Sequence, residues 1–415
     1  MNRGKRKSRR AECLRTPCEN SAVSKLVPEI KRMNPYRTMP RLTFGGLAMA
    51  LAAGIMLLGS GAVRADPQED RYQQRNLVSD GFLPADHMDP NLVNAWGIAF
   101  NPFGPVWIAD NGTGVSTLYD GNGVAQPLPP TGPLIVAIPP AAGADSANPT
   151  GIVFNGSPGF VVTQGDKSGP ALFMFVTEDG VLAGWNPGVD RTHAILVKDN
   201  SPSGAVYKGL ALSAGGNGAL LYATDFHNTR IDVWDSNFVP VPLAAGAFSD
   251  PTIPAGFGPF GIQAIGGNLY VTYAKQDADR HDDVKGKGLG FVDVFDPNGN
   301  LLRRVATRGH LNAPWGLALA PAGFGELGDT LLVGNFGDGR INAFDLGTGE
   351  FISQLKGADG KPAVIDGLWG LAFGNGFAQQ PVNTLFFTAG PDGEAHGLYG
   401  RLDLLPRKGR GHDED

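Results

Sequence analysis

The stretch WGLALAPAGFGELGDTLLVGNFGDGRINAFDLGTGEFISQL, residues 315–355, holds four strand-like runs in a fixed order. An apolar run at 315–319 opens on Trp315-Gly316, a second covers 330–333, a third ends in Phe344-Asp345, and a fourth covers 350–355. Glycine and polar residues that suit tight turns separate the runs. Four strands joined in this way make one blade of a propeller.

The same glycine approach recurs along the chain at Trp96-Gly97, Thr150-Gly151, Lys208-Gly209, Phe260-Gly261, Trp315-Gly316 and Trp369-Gly370, with intervals of 54, 58, 52, 55 and 54 residues. Third-strand endings recur with it, as Tyr119-Asp120, Trp234-Asp235, Phe295-Asp296 and Phe344-Asp345. Repetition at a fixed period is the mark of units stacked around a shared core. The expected fold is therefore all-β: a six-bladed β-propeller of four-stranded antiparallel blades. The sixth unit offers only three strands before a polar tail, and the strand-like Tyr72–Ser79 ahead of the first unit has no other use. A bare sheet edge invites aggregation, so this N-terminal strand is expected to close the last blade.

The six glycines are read as packing positions where the blades converge, and Trp96, Trp315 and Trp369 as aromatic packing between blades. Ahead of the repeats, residues 42–58 (LTFGGLAMALAAGIMLL) follow Arg37 and Arg41, and Val63-Arg64-Ala65 has the small-residue spacing of a cleavage site. The segment 1–65 is read as an N-terminal extension plus signal peptide, with Met33 or Met39 as an alternative start. Residues 66–405 are read as one propeller domain without an internal linker, and 406–415 as a disordered polar tail. Export to the periplasm or the extracellular space follows, with no stable membrane span after cleavage, and a monomer is expected. Cys13 and Cys18 both lie in the cleaved segment, so no disulfide is available to the mature chain.

Removing 1–65 takes away 13 of 34 basic and 3 of 40 acidic residues, leaving 21 against 37 and a net charge of −16. Nucleic acid needs a concentrated positive surface and is excluded as a partner. Cations, sugars and neutral ligands fit better. No Gly-x-Ser-x-Gly elbow, phosphate-binding loop or zincin motif is present.

In a propeller, the loops entering the first strands and those joining second to third strands share one face around the channel. A small molecule, sugar or protein segment is expected there. Asn94, Asn148, Asn312 and Asp366 stand just before their glycines and are the candidate metal ligands, calcium being the cation that suits oxygen donors. Asn and Asp at such positions also form ordinary turns. Lys208 stands at the same level in blade three and favours a carboxylate or phosphate group on a ligand. His87 and His310, in the entrances to blades one and five, with Asp110 and Asn335 at second-strand ends, complete the ligand-binding candidates. The acidic insertion from Asp277 to Asp283 lacks the glycine and glutamate of an EF-hand, carrying Asp282 and Gly288 there, and reads as a solvated lid or casual cation site.

The runs Asn76 to Asp80 (NLVSD), Asp89 to Gly97 (DPNLVNAWG), Val106 to Gly114 (VWIADNGTG) and Leu332 to Asn342 (LVGNFGDGRIN) resemble an exported bacterial propeller family of unknown function. The resemblance runs from Asn76 to Asp403. More distantly the blades are similar to NHL-repeat and lactonase or gluconolactonase propellers, whose channel metal is held by Asn, Asp and Glu. That likeness implies calcium on Asn94, Asn148, Asn312 and Asp366, although the chain has no glutamate at the start of blade one. Three functions remain open: a binding propeller, a calcium-dependent lactonase or esterase-like hydrolase with proton transfer by His87 or His310, and a structural or adhesive envelope protein.

Overall fold

The computed structural model describes residues 69–127, 132–215 and 218–407. The expected signal peptide and the last residues of the tail lie outside them. No helix among the described residues is long and apolar enough to cross a membrane. Six antiparallel sheets follow one another along the chain, each starting with an inner strand: Ala95–Phe100, Pro149–Phe154, Tyr207–Gly215, Phe257–Ile265, Pro314–Leu319 and Leu368–Phe373. Each inner strand is paired on one side only, and the glycine read from the sequence lies inside it.

Those glycines link the blades into a closed circle. A Cβ on Gly97 would stand 2.3 Å from the Thr150 carbonyl, and one on Gly151 2.5 Å from the Leu210 amide. The contacts continue from Gly209 to Phe260, from Gly261 to Trp315, from Gly316 to Trp369, and from Gly370 back to the Trp96 carbonyl. Backbone therefore packs on backbone where the circumference is smallest, and any side chain would push neighbouring blades apart. The pairing register of each inner strand shifts around its glycine. Such a bulge frees an amide from the ladder. Threonines on second strands take it up: Gly261 N donates to Thr272 Oγ1 at 2.8 Å and Gly370 N to Thr388 Oγ1 at 2.9 Å. The hydroxyl of Thr388 in turn donates to the Trp96 carbonyl, and that of Thr224 to the Phe260 carbonyl, tying blade six to blade one and blade three to blade four.

Six apolar clusters fill the interfaces between successive blades. The N-terminal strand Tyr72–Ser79 pairs antiparallel with Leu398–Leu404, as strand counting predicts, and puts Leu77 and Val78 into the cluster between blades six and one. Two departures from the sequence reading have clear causes. Blade three has only three full strands, its fourth reduced to a bridge at Pro240, because Pro240 and Pro242 supply no amide for a ladder. Blade two carries an extra hairpin, Val161–Gln164 with Lys167–Pro170, between its first and second strands, which adds to the four strands expected of a blade. At the start of the expected tail, Arg407 ion-pairs with Asp70 at 2.8 Å and with Glu326 at 2.7 Å.

Candidate functional site

Just ahead of the glycines the channel is stopped by aromatic rings. Trp96 from blade one stacks on Trp369 from blade six with centroids 3.6 Å apart, and Phe336 covers the same ring at 3.8 Å. Trp315, Phe226 and Phe260 complete the cluster from blades five, three and four. The tryptophans thus pack between blades as expected, but in a cluster in the channel apart from the six that fill the blade interfaces. Two of the three indole N–H groups hold the polar layer above them. Trp369 Nε1 donates to Asn94 Oδ1 at 3.1 Å, and Trp315 Nε1 to the Lys208 carbonyl at 2.9 Å.

Lys208 rises through this layer and is 1% exposed. Its ammonium donates to Glu178 and, at 3.3 Å, to Asp282, and lies 5.2 Å from the Trp96 ring centroid. Burial works to lower the lysine pKa, but the charges of Glu178, Asp282 and Asp283 outweigh it, so the group ends above its ordinary value and stays protonated. Glu178 also accepts from Asn111 Nδ2 at 2.8 Å; Asn94 Nδ2 donates to Asn111 Oδ1 at 3.1 Å and to Glu394 at 2.9 Å. One hydrogen-bonded chain therefore runs from blade three through blades two and one to blade six.

The acidic insertion of blade four closes over this chain. The His281 hydrogen bond holds Asp282 down to about 2, and the same bond raises the His281 ring. Asp283 is different. Burial pushes its carboxyl up to about 7, against the pull of Lys208 and Lys285, and its Oδ2 is buried without a hydrogen-bond partner. Burial likewise raises Glu394. The mouth thus holds one carboxyl group, Asp283, that takes up or loses a proton near neutrality, and a second, Glu394, raised by burial, beside a charged lysine, an arrangement found where ligands are handled.

A carboxyl whose folded pKa exceeds its unfolded one weakens the fold as pH rises between the two values. For Asp283 the penalty is absent below the unfolded value near 4, grows toward 7 and is complete above it. Asp283→Asn is therefore expected to stabilise the protein by roughly 2–4 kcal/mol at pH 8 and by almost nothing at pH 4. Urea melts of both proteins at the two values check this; a difference independent of pH rejects it.

Of the residues singled out from sequence, Lys208 and Asn94 lie in this cluster, and Asn148 touches its margin through the Asn111 carbonyl at 3.3 Å. Among the described residues no hydrogen bond joins Asn94, Asn148, Asn312 and Asp366 to one another. Asn312 Oδ1 accepts from Gly286 N at 2.6 Å, and an Asp366 oxygen from Asp392 N at 2.9 Å. Asp110 is fully buried; burial raises its carboxyl well above the usual range, and one oxygen accepts from Thr117 at 2.8 Å. Asn335 donates to the His310 carbonyl at 2.8 Å and to Asp338 at 3.0 Å. The His310 ring stacks on Phe351, on the outer strand of blade five. His87 sits in a two-residue edge strand beyond Tyr72–Ser79, on the outside of blade six.

Glu178, Asn111 and Glu394 were not among the sequence candidates, and Asp283 was read only as part of the acidic insertion. Glu178 and Asn111 directly follow second strands and Glu394 and Asp283 lie further along the loops after them, all in the loops expected at the mouth but in no repeated pattern. Position after a strand end is the signal that finds them.

No family model matches the chain. Solved structures to which it is similar include a glucose dehydrogenase (TM-score 0.48, 11% identity, 79% of this chain and 99% of that one). Virginiamycin B lyase from Staphylococcus aureus is another (TM-score 0.42, 14% identity, 81% and 100%). By sequence it is similar to two proteins of Acanthamoeba polyphaga mimivirus. "Uncharacterized protein R648" is 38% identical over 335 residues, 79% of this chain and 78% of the relative. "Uncharacterized protein L690" is 35% identical over 334 residues, 79% and 84%. These relatives are viral, whereas the sequence motifs resembled a bacterial family. With over a third of positions identical along most of both chains, this protein belongs to the family of R648 and L690.

Proposed function

We propose that the protein is a binding propeller whose mouth takes a small, uncharged, hydroxyl-bearing ligand of the sugar or polyol class. The observation that carries this reading is the linked cluster of Lys208, Glu178, Asn111, Asn94 and Glu394, drawn from four blades and roofed by Asp282 and Asp283 of a fifth. The Lys208 ammonium is already held by Glu178 and Asp282, so an anionic ligand gains little from it, whereas a hydroxyl both donates and accepts and can join the network.

A calcium-dependent hydrolase is less well supported. Glu178, His281 and Asp282 offer ligand atoms within 4.8 Å of one another, but the Lys208 ammonium stands between the two carboxylates, where a cation would have to sit. Calcium also wants six or more oxygens, which this set does not supply.

Calorimetric titration of the protein with neutral monosaccharides and polyols, beside calcium chloride alone, separates the readings. Saturable binding of a polyhydroxyl compound, weakened about tenfold or more in Glu394→Gln, is the expected result, since the amide keeps the size and removes a charge-assisted bond. Stoichiometric calcium binding lost in Asp282→Asn, with no polyol binding, overturns it.

A further inference from the structure

Beyond the glycine circle, at the opposite end of the channel from Lys208, the inner strands open into a cavity of about 500 Å³. All six blades line it, blade three with two residues and the others with three, all within four positions after the glycine. The first position is Ile98, Ile152, Leu317 or Leu371 in four of them, and the third is Phe100, Phe154, Leu212, Leu319 or Phe373 in five. No charged residue lines it. Blade four departs from the pattern: there Gln263 replaces the small residue that the other blades carry, and its exposed side chain has no hydrogen-bond partner among the described residues.

The inner strands also leave their channel-side edges unpaired, so the wall presents free peptide groups between apolar side chains. At the glycine level the passage narrows to a space of about 30 Å³, enough for a water molecule. The aromatic stack closes it beyond that point. The cavity is therefore blind, has the volume of a small-molecule site, and combines apolar walls with one convergent amide.

From this we infer a second binding site, on the face away from the mouth, for a neutral and largely apolar small molecule carrying one hydrogen-bonding group such as an amide, hydroxyl or secondary amine. The lining selects against ions, because a charge brought here loses its water and meets no opposite charge among the described residues. The apolar walls hold the body of the ligand, and Gln263 or a free peptide edge meets its polar group.

Titrating the full chain with the neutral dye N-phenyl-naphthylamine, followed by its fluorescence, tests the assignment. One saturable equivalent is expected. Gln263→Trp fills the cavity and Leu319→Arg places a charge at its rim; each is expected to weaken dye binding about tenfold or more by removing apolar contact or adding a desolvation cost. Asp283→Asn, at the other end, is expected to bind the dye as the parent does. Circular dichroism and melting of each variant establish that it is folded, and two variants guard against one failing to fold. Absence of saturable binding, or unchanged binding in a folded Gln263→Trp or Leu319→Arg protein, overturns the proposal.

Discussion

Lys208→Met is expected to destabilise the protein at pH 7 by about 3–5 kcal/mol, the usual cost of removing one partner from a buried ion pair. The lysine is almost wholly enclosed, and its loss strands Glu178, whose side chain is 14% exposed, without the cation that justified its burial. Asp282 suffers less, being 67% exposed at the side chain and held also by His281. The double variant Lys208→Met/Glu178→Gln removes both charges and is expected to regain most of the loss, since an apolar or neutral replacement of a buried pair is often close to neutral. Urea denaturation of the single and double variants checks both statements. A single variant within about 1 kcal/mol of the parent would show that the pair behaves as a solvated one.

Deleting residues 66–79 is expected to abolish cooperative unfolding. The deletion leaves the whole edge of Leu398–Leu404 unpaired and removes Tyr72, Leu77 and Val78, each buried, from the interfaces on either side of blade six. Three such side chains contribute roughly 5–9 kcal/mol, comparable with the entire stability of an ordinary domain. Tyr72 adds a hydrogen bond to the Phe324 carbonyl at 2.7 Å, which fastens the strand to blade five as well. Thermal melts followed by tryptophan fluorescence give the answer: a broad, non-cooperative change is expected, and a sharp transition at the parent's midpoint refutes it. A synthetic peptide of residues 69–79 added to the truncated chain should restore the transition.

The architecture was legible because it obeys constraints that repeat. Every blade must let its neighbour approach at the centre, so Gly97, Gly151, Gly209, Gly261, Gly316 and Gly370 recur in register, and a sheet short of one strand exposes the vacancy by simple counting. The threonine bridges escaped notice because only some blades use them: Thr224, Thr272 and Thr388 have Ala109 and Gly334 as counterparts in blades one and five. The mouth was harder. Asn94 stands three residues before Gly97 and Asn312 four before Gly316, and one meets Asn111 and Glu394 while the other accepts from the Gly286 amide. Which way a loop amide turns depends on the neighbouring loop, and loop lengths differ from blade to blade. Lys208 was visible because it interrupts a level otherwise held by aromatic residues and threonine; its partners Glu178 and Asp282 come from two other blades.

Closure by the N-terminal strand also sets an order of events in time. Tyr72–Ser79 leaves the ribosome before any complete blade, and its partner Leu398–Leu404 leaves after all the others. The ring therefore stays open throughout synthesis, with an unpaired strand waiting at one end for a neighbour that does not yet exist. Pairing across so long a separation in the chain is slow, and the waiting edge is the point at which another copy can intrude. Whatever shields that strand during synthesis governs how much of the protein reaches the closed form.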